Sequence, residues 1–190
     1  GAGSPGWDEV LVSAGGGAVG DALLRTAIRA RGVSALADRR WRVLVGVKVP
    51  EDDFQALIAL AAEASEAGGI LVERARGDFP TLLMNCALSI SQGGYNTLME
   101  CMHAGCRSIV VPYAGGLETE QTLRAELLAE RGVVTIIPEV ELRPATLAAA
   151  IDQALAATPA ASVGVGVGVR TDGAADSARQ IAAWAGALDW

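Results

Sequence analysis

The feature of this sequence that most constrains its fold is a regular alternation of short apolar runs with longer segments of helical periodicity. Each of six apolar runs, about five residues long, is followed by a segment whose apolar residues recur at every third or fourth position. Elements that alternate in this order build a mostly parallel sheet with helices on both faces. We therefore expect a doubly wound, Rossmann-like α/β domain with a six-stranded sheet. The predicted strands are Val10–Ala14, Trp41–Val47, Ile70–Glu73, Ala87–Ser91, Arg107–Val111 and Val133–Ile137.

Composition and charge narrow the class of protein. The chain has 190 residues, of which 51% are hydrophobic and 19% charged, so it can bury a substantial core. Its net charge of -7 disfavours a nucleic-acid surface, which needs a basic patch. No apolar run reaches the ~18 residues of a membrane-spanning helix, and no signal-peptide pattern opens the chain. These observations predict a cytoplasmic protein with no membrane span and no nucleic-acid partner.

The chain is expected to form one domain with a low-complexity segment near its end. Residues 1–8 are interpreted as an N-terminal loop and residues 9–157 as the Rossmann-like domain. In residues 158–173 valines alternate with glycines, which lose much entropy on ordering, so a flexible loop is favoured over a strand. Residues 174–190 are predicted to form an amphipathic helix that packs on the domain.

The stretch from Gly93 to Glu100 connects the fourth predicted strand to a helix through a glycine turn. The first amides of such a helix have no intrahelical partners and carry positive partial charge, so they can hold an anion that the glycines allow to approach closely. Glu100 is expected about one turn into the helix, where a carboxylate can accept hydrogen bonds from the vicinal hydroxyls of a ribose. Spacing alone leaves open an ordinary turn with a solvated glutamate.

Three loops follow the carboxyl ends of predicted parallel strands, so they should meet at one edge of the sheet. Open parallel sheets bind their ligands at this edge. These loops are residues 13–17, 91–96 and 113–121. The first two are rich in glycine and poor in cations, which suits a diphosphate and a sugar. The third contains Glu118, Glu120 and Gln121, whose polar ends can contact sugar hydroxyls.

Other kinds of site fit the sequence less well. Residues 15–20 match the glycine pattern of dinucleotide-binding folds, but no acidic residue ends the second strand to bind the adenosine ribose. His103 is the only histidine and is expected to be a packed or capping residue, and no nucleophile elbow is present. The three cysteines lack C-x-x-C spacing, so reduced thiols are expected and no metal site is predicted.

The same segments carry a resemblance to a known family. They are residues 13–17 after the first strand, residues 91–100, the Val-Pro-Tyr at 111–113, and Glu120-Gln121. They resemble the C-terminal domain of two-domain GT-B glycosyltransferases, in particular the peptidoglycan N-acetylglucosaminyltransferase group and related predicted glycosyltransferases. The resemblance extends over roughly residues 10–157.

The resemblance implies a binding site for a nucleotide-sugar donor, usually a UDP-sugar. Glu100 would bond the ribose hydroxyls, Glu120 and Gln121 would contact the donor sugar, and the first glycine loop would face an interdomain cleft. Where Gln92 and Glu120 stand, some relatives carry arginine and glutamine respectively, so the sugar is left open. The implied site residues are Ser13, Gly15, Gly16, Gly17, Gln92, Gly93, Gly94, Asn96, Thr97, Glu100, Glu120 and Gln121.

The implied activity is transfer of a sugar from the nucleotide to an acceptor hydroxyl. Helix N-termini would stabilise the departing diphosphate, without an obligatory metal or other cofactor. The chain would then be the donor-binding half of a hexosyltransferase, with the acceptor on an N-terminal domain. Two alternatives stay open: a nucleotide-sugar epimerase on the same architecture, with Glu118 and Glu120 as acid and base, and a non-catalytic nucleotide-binding module.

Overall fold

Strands and helices alternate along the chain as predicted. The computed structural model describes residues 1–14, 19–65, 68–112, 119–130 and 132–156, with the backbone alone for residues 19 and 119–124. The segments predicted as a loop at 158–173 and a helix at 174–190 lie outside the described residues. The strands are β1 (Val10–Ser13), β2 (Trp41–Val45), β3 (Ile70–Arg74), β4 (Leu88–Ser91), β5 (Ser108–Val110) and β6 (Thr135–Ile136). The helices are α1 (Val19–Ala30), α2 (Glu51–Ala64), α3 (Phe79–Asn85), α4 (Tyr95–Ala104), α5 (Thr119–Glu130) and α6 (Pro144–Ala156), and short 3-10 turns lie at Arg31–Val33 and Glu139–Glu141.

The six strands form one parallel sheet in the order β3-β2-β1-β4-β5-β6. The chain therefore builds the sheet outward from β1 to β3, returns to the middle, and builds it in the other direction from β4 to β6. This order confirms the predicted doubly wound α/β fold. It also places the reversal of strand order between β1 and β4, which is where open sheets of this kind bind ligands.

One face of the sheet packs against α1, α2 and α6 and holds the larger apolar core. Val10, Val12 and Val43 are fully buried in it. Strands with helices on both sides are buried on both faces, so their sequences are continuous apolar runs. Trp41 is also fully buried and donates its indole N–H to the carbonyl of Leu36 at 2.9 Å, so its polar atom is satisfied.

The opposite face packs against α3, α4 and α5 and is more polar. Leu11 and Leu44 contact α3 and α4 there, and Val110 packs with α4 and α5. The central strands also present small polar side chains to this face, and these are buried: Ser89, Ser91 and Ser108.

A buried ion cluster centres on Arg42 of β2. Its guanidinium donates to both carboxylate oxygens of Glu9, at 2.6 and 3.1 Å, and to Glu73 of β3 at 2.6 Å. Hydrogen bonding to Glu9, opposed by burial and helped by Glu73, raises the pKa of Arg42. Both members of the Arg42–Glu9 pair are less than a tenth exposed, so the pair is desolvated and each charge depends on the other.

Several predicted boundaries were wrong. The sequence predicts a second helix from about Phe54, capped by Asp52 or Asp53. This helix begins at Glu51, and Pro50 occupies its N-cap without any side-chain cap. The fixed φ of Pro50 suits a helix start, and the acidic residues instead lie in the first turn, where the helix dipole favours them. The last strand has two residues and not five, because as an edge strand it pairs only with the short β5.

Candidate functional site

The candidate site lies at the carboxyl edge of the sheet, where the strand order reverses. β1 and β4 are neighbours there, and Ser13 pairs in register with Ser91 at the last position of both strands. Because side chains alternate along a strand, both serines belong to the face that α3 and α4 cover. β5 is next to β4, so the helix after it starts at the same edge. Gly15, Gly16 and Gly17, which were predicted to join this site, lie outside the described residues.

The two glycines between β4 and α4 have different structural roles. Gly93 is buried with φ +73°, and a Cβ there would overlap Cγ1 of Val110 in the core. Glycine is therefore needed at 93 for packing and backbone conformation. Gly94 has φ -54° and ψ 149°, which any residue adopts, and among the described residues no atom outside its own turn lies within 4 Å of a Cβ built on it. In the described part of the chain, the space beside the helix start is therefore open at Gly94.

The N-terminus of α4 presents backbone amides to this open space. The first intrahelical bond runs from Leu98 N–H to the carbonyl of Gly94 at 3.0 Å. The amides of Asn96 and Thr97 precede it and so have no intrahelical acceptor. α4, which the structure describes in full, has neither a side-chain cap nor an acidic residue in its first turn. The helix start therefore has positive partial charge that its own side chains do not neutralise.

Ser91 adds a hydroxyl that sequence reasoning did not place among the site residues. The residue is 2% exposed, and its Oγ has no hydrogen-bond partner among the described residues. A buried hydroxyl without a partner is costly, so such a group needs an explanation. Its position at the last residue of a strand, directly before the turn, was the available signal. Gln92, which follows it, is half-buried.

Glu100 is the sixth residue of α4, about 7.5 Å along the helix axis from Tyr95. Its half-buried side chain lines a pocket of about 480 Å³ between α3 and α4. Most of the lining is apolar, and the lining residues are Pro80, Met84, Met99, Glu100, His103 and Ala104. A carboxylate on the wall of an apolar pocket, one and a half turns from an uncapped helix N-terminus, can accept hydrogen bonds from hydroxyls of a ligand held at that terminus.

His103, which is expected from the sequence to be a packed or capping residue, is not packed in the core but exposed in the last turn of α4. It lines the same pocket as Glu100, three residues further along the helix. The apolar periodicity of the sequence did not indicate that His103 is exposed, because α4 buries only a narrow stripe that consists of Leu98 and Cys101. An imidazole on the pocket wall extends its polar chemistry beyond Glu100.

The remaining predicted residues are only partly described. Asn96 is exposed and Thr97 half-buried in the first turn of α4. Glu120 and Gln121 lie in the first turn of α5, and their side chains are outside the description. Among the described residues, no three His, Cys, Asp or Glu side chains are arranged to bind a metal ion. None of the described helices combines the length and hydropathy of a membrane-spanning segment.

Comparison with known sequences follows the same part of the chain. The model for the glycosyltransferase family 28 C-terminal domain matches residues 78–162, which include α3, α4 and the pocket between them. A UDP-N-acetylglucosamine--N-acetylmuramyl-(pentapeptide) pyrophosphoryl-undecaprenol N-acetylglucosamine transferase from Rhodopseudomonas palustris is 31% identical over 150 residues, covering 79% of this chain and 40% of that protein. The enzyme of the same name from Agrobacterium fabrum is 28% identical over 173 residues, covering 88% of this chain and 45% of the relative.

Solved structures share the fold. Acinetobacter baumannii MurG superposes with a TM-score of 0.63 at 22% identity, over 86% of this chain and 49% of the other. The spinosyn rhamnosyltransferase SpnG gives a TM-score of 0.61 at 20% identity, over 87% of this chain and 41% of the other. The chain thus spans less than half the length of the proteins it matches.

Proposed function

Because residues 78–162 of this chain match the model of the glycosyltransferase family 28 C-terminal domain, we propose that the chain is the donor-binding half of a glycosyltransferase that uses a nucleotide-sugar, most simply a UDP-sugar. The observation that carries the proposal is the uncapped start of α4 at the reversal of strand order, with Glu100 in the adjoining pocket. A cytoplasmic location is part of the same proposal.

The diphosphate of the donor would lie at the start of α4 and its ribose at Glu100. The amides of Asn96 and Thr97 supply donors to phosphate oxygens, and Gly94 leaves the backbone accessible. Glu100 lies about 7.5 Å further along the axis, a separation that a nucleotide spans between its phosphates and its ribose hydroxyls. The carboxylate would accept hydrogen bonds from both hydroxyls of a ribose, as acidic residues do in dinucleotide sites.

Sugar transfer makes the nucleoside diphosphate a leaving group that gains negative charge. Preorganised amides at the α4 N-terminus would stabilise that charge without reorganisation, which is the main contribution this chain can make to the transition state. We propose that no metal is obligatory, since the amides and helix dipole supply the stabilisation. Gln92 and the hydroxyl of Thr97 would also contact the diphosphate. Ser13, Gly15, Gly16 and Gly17 would face the cleft between this domain and the N-terminal domain.

The proposal extends to the donor sugar and to the acceptor. The Rhodopseudomonas and Agrobacterium relatives are named as enzymes that transfer N-acetylglucosamine from UDP, so UDP-N-acetylglucosamine is the first donor to test. Glu120 and Gln121, in the first turn of α5, are proposed to contact the donor sugar. An acceptor must be held close to the reacting carbon by a second wall, which we propose is an N-terminal domain.

Calorimetric titration with UDP tests the assignment of Glu100. Losing a charged hydrogen-bond acceptor costs roughly 1.5 to 3 kcal/mol, so Glu100→Ala should raise the dissociation constant about ten- to 150-fold. Glu63→Ala is the matched control, because Glu63 is an exposed helical glutamate on α2, which packs on the other face of the sheet. Equal UDP affinity in wild type and Glu100→Ala, with both proteins folded, would remove Glu100 from the site.

Thermal unfolding of the 190-residue chain tests whether it is only the donor-binding half of the enzyme. UDP or a UDP-sugar at a hundred times its dissociation constant should add about 2.7 kcal/mol to the free energy of unfolding and raise the melting temperature. NAD should give a smaller shift, and the chain alone should transfer no sugar. Efficient glycosylation of an acceptor by this chain would contradict the proposal, and a shift with NAD only would favour a dinucleotide site.

A further inference from the structure

Three cysteines converge at the end of the domain opposite the candidate site. Cys86 directly follows α3, Cys106 follows the glycine that ends α4, and Cys101 lies on the buried side of α4. All three belong to one apolar cluster with Leu82 and Leu83 of α3. Cys101 and Cys106 are buried whereas Cys86 is half-buried, so Cys86 is the thiol that a reagent in solution meets first.

Cys86 and Cys106 lie close enough for a disulfide. Ser89 of β4 pairs with Ser108 of β5. The backbone hydrogen bonding continues toward the start of both strands, since the Ser89 amide donates to the carbonyl of Arg107 at 2.9 Å. Extending this register to the two residues before each strand puts Cys86 one residue out of register with Cys106. With strands about 4.8 Å apart and a rise of about 3.3 Å per residue, this offset corresponds to about 6 Å between Cα atoms. Disulfides bridge Cα separations of roughly 4.4 to 6.8 Å.

We propose that Cys86 and Cys106 form an intramolecular disulfide when the protein meets a low-molecular-weight disulfide such as oxidised glutathione. The Cys86 thiolate attacks one sulfur of the reagent, forms a mixed disulfide and releases the first glutathione thiolate. Cys106 then loses its proton and attacks the Cys86 sulfur, which expels the second glutathione. Two protein thiols are oxidised to one disulfide, and one molecule of glutathione disulfide is reduced to two thiols.

The surroundings of the sulfurs explain why Cys86 attacks the reagent first and Cys106 attacks the mixed disulfide. The Cys86 thiol donates to the carbonyl of Leu83 at 3.3 Å near the surface, whereas the Cys101 thiol donates to Ser89 Oγ at 3.7 Å beneath α4, where it is 2% exposed. Cys106 Sγ lies 3.6 Å from Ser108 Oγ. A hydrogen bond to Cys101 lowers the pKa of Cys106, but Cys86 and burial outweigh it and raise this pKa to about 12. The attack needs the Cys106 thiolate, so it accelerates as the pH rises.

The crosslink would join the last turns of α3 and α4. These two helices contribute the walls of the pocket that holds Glu100, with Met84 on one side and His103 on the other. A disulfide at their C-terminal ends would fix the spacing of those walls. The thiol pair is thus a modification site coupled mechanically to the pocket, and the disulfide itself requires no assumption about the ligand.

Cyanogen bromide mapping tests the proposal, because the three methionines separate the three cysteines. Cleavage after Met84, Met99 and Met102 places Cys86 in fragment 85–99, Cys101 in 100–102 and Cys106 in 103–190. The native chain is treated with oxidised glutathione at pH 8, alkylated and cleaved in acid. We expect fragment 85–99 linked to 103–190, alkylated Cys101, and a rate of linkage that increases with pH.

Matched variants make each outcome decisive. Cys101→Ala should keep the same linkage, Cys106→Ala should stop at glutathione bound to Cys86, and Cys86→Ala should leave Cys101 and Cys106 reduced. Linkage of fragment 100–102 to either partner, a disulfide between two chains, or a mixed disulfide that persists in the wild type would overturn the proposal. Comparing far-ultraviolet circular dichroism of the variants identifies any that fail to fold, and the Cys101→Ala linkage remains a separate test.

Discussion

Substituting each of the two glycines before α4 separates a folding requirement from a binding requirement. Gly93 and Gly94 are adjacent in sequence, yet a methyl group at 93 would overlap Val110 while one at 94 would enter open space. Gly93→Ala should therefore destabilise the fold, and Gly94→Ala should weaken nucleotide binding without destabilising it. The packing role of Gly93 was not visible from the sequence, which indicated only a glycine turn that a ligand can approach closely.

The magnitudes follow from the local geometry. At Gly93, a positive φ costs a non-glycine residue roughly 1 to 2 kcal/mol, and overpacking a core typically costs ~1 to 3 kcal/mol. The free energy of unfolding should fall by about 2 to 5 kcal/mol, which lowers the melting temperature by about 4 to 20 °C in a chain of this size. Gly94 has an unstrained backbone, so Gly94→Ala should stay within about 0.5 kcal/mol of wild type.

Urea unfolding and UDP calorimetry measure the two effects. The Gly93→Ala, Val110→Ala double variant should recover the packing part of the loss while keeping the backbone part, so the two substitutions should couple by about 1 to 3 kcal/mol. Gly94→Val extends the series by placing a larger side chain where the phosphates are proposed to lie. Equal stabilities for Gly93→Ala and Gly94→Ala would refute the geometry of the turn. Unchanged UDP affinity in Gly94→Val would place the phosphates elsewhere.

Further predictions concern charge and titration. Glu9→Ala should reduce the free energy of unfolding by about 3 to 5 kcal/mol in urea, since it leaves a buried Arg42 charge. Glu51→Ala breaks an exposed pair with Arg74 and should cost much less. Equal losses would contradict the burial argument. Because the folded-state pKa of Cys106 is raised to about 12, from an unfolded value near 9, the unfolded chain releases this proton first as pH rises, so stability is lost above about pH 9. Between pH 8 and 10.5 the share of Cys106 in this loss should be about 2 kcal/mol, so the total loss in thermal unfolding across that range should be smaller in Cys106→Ala. An unchanged pH dependence in Cys106→Ala would assign the effect to other groups.

The order of elements and the position of the turn could be predicted from sequence because they depend on local patterns. Continuous apolar runs such as Val10 to Val12 identify strands that are buried on both faces, and the alternation with helices then fixes a parallel sheet. The end of α4 is also a local feature of the sequence, because glycine favours the left-handed conformation that ends helices, and Gly105 adopts it. These features need no knowledge of what lies across the sheet.

Features that depend on neighbours distant in sequence could not be predicted. The need for glycine at 93 comes from Val110 on the next strand, and His103 lies on the wall of a pocket between α3 and α4. Ser91 has the sequence context of an ordinary strand serine, yet its hydroxyl is buried with no partner among the described residues. The proximity of Cys86 to Cys106, twenty residues apart, likewise follows from strand register and not from spacing.

The electrostatics of the domain explain why its candidate anion site is made of backbone. The chain has a net charge of -7, and the arginines at the end of β3 and just after it are already paired with carboxylates: Arg74 with Glu51, and Arg76 with Asp78 and Glu73. An anion arriving at α4 therefore meets a repulsive long-range field and a favourable short-range one, from amides that have no side-chain cap and no acidic residue in the same helical turn. Such a site discriminates by contact geometry more than by charge, because only a ligand that reaches both the helix start and Glu100 gains enough to offset the repulsion. A free inorganic phosphate satisfies one of these contacts, and a nucleoside diphosphate satisfies both.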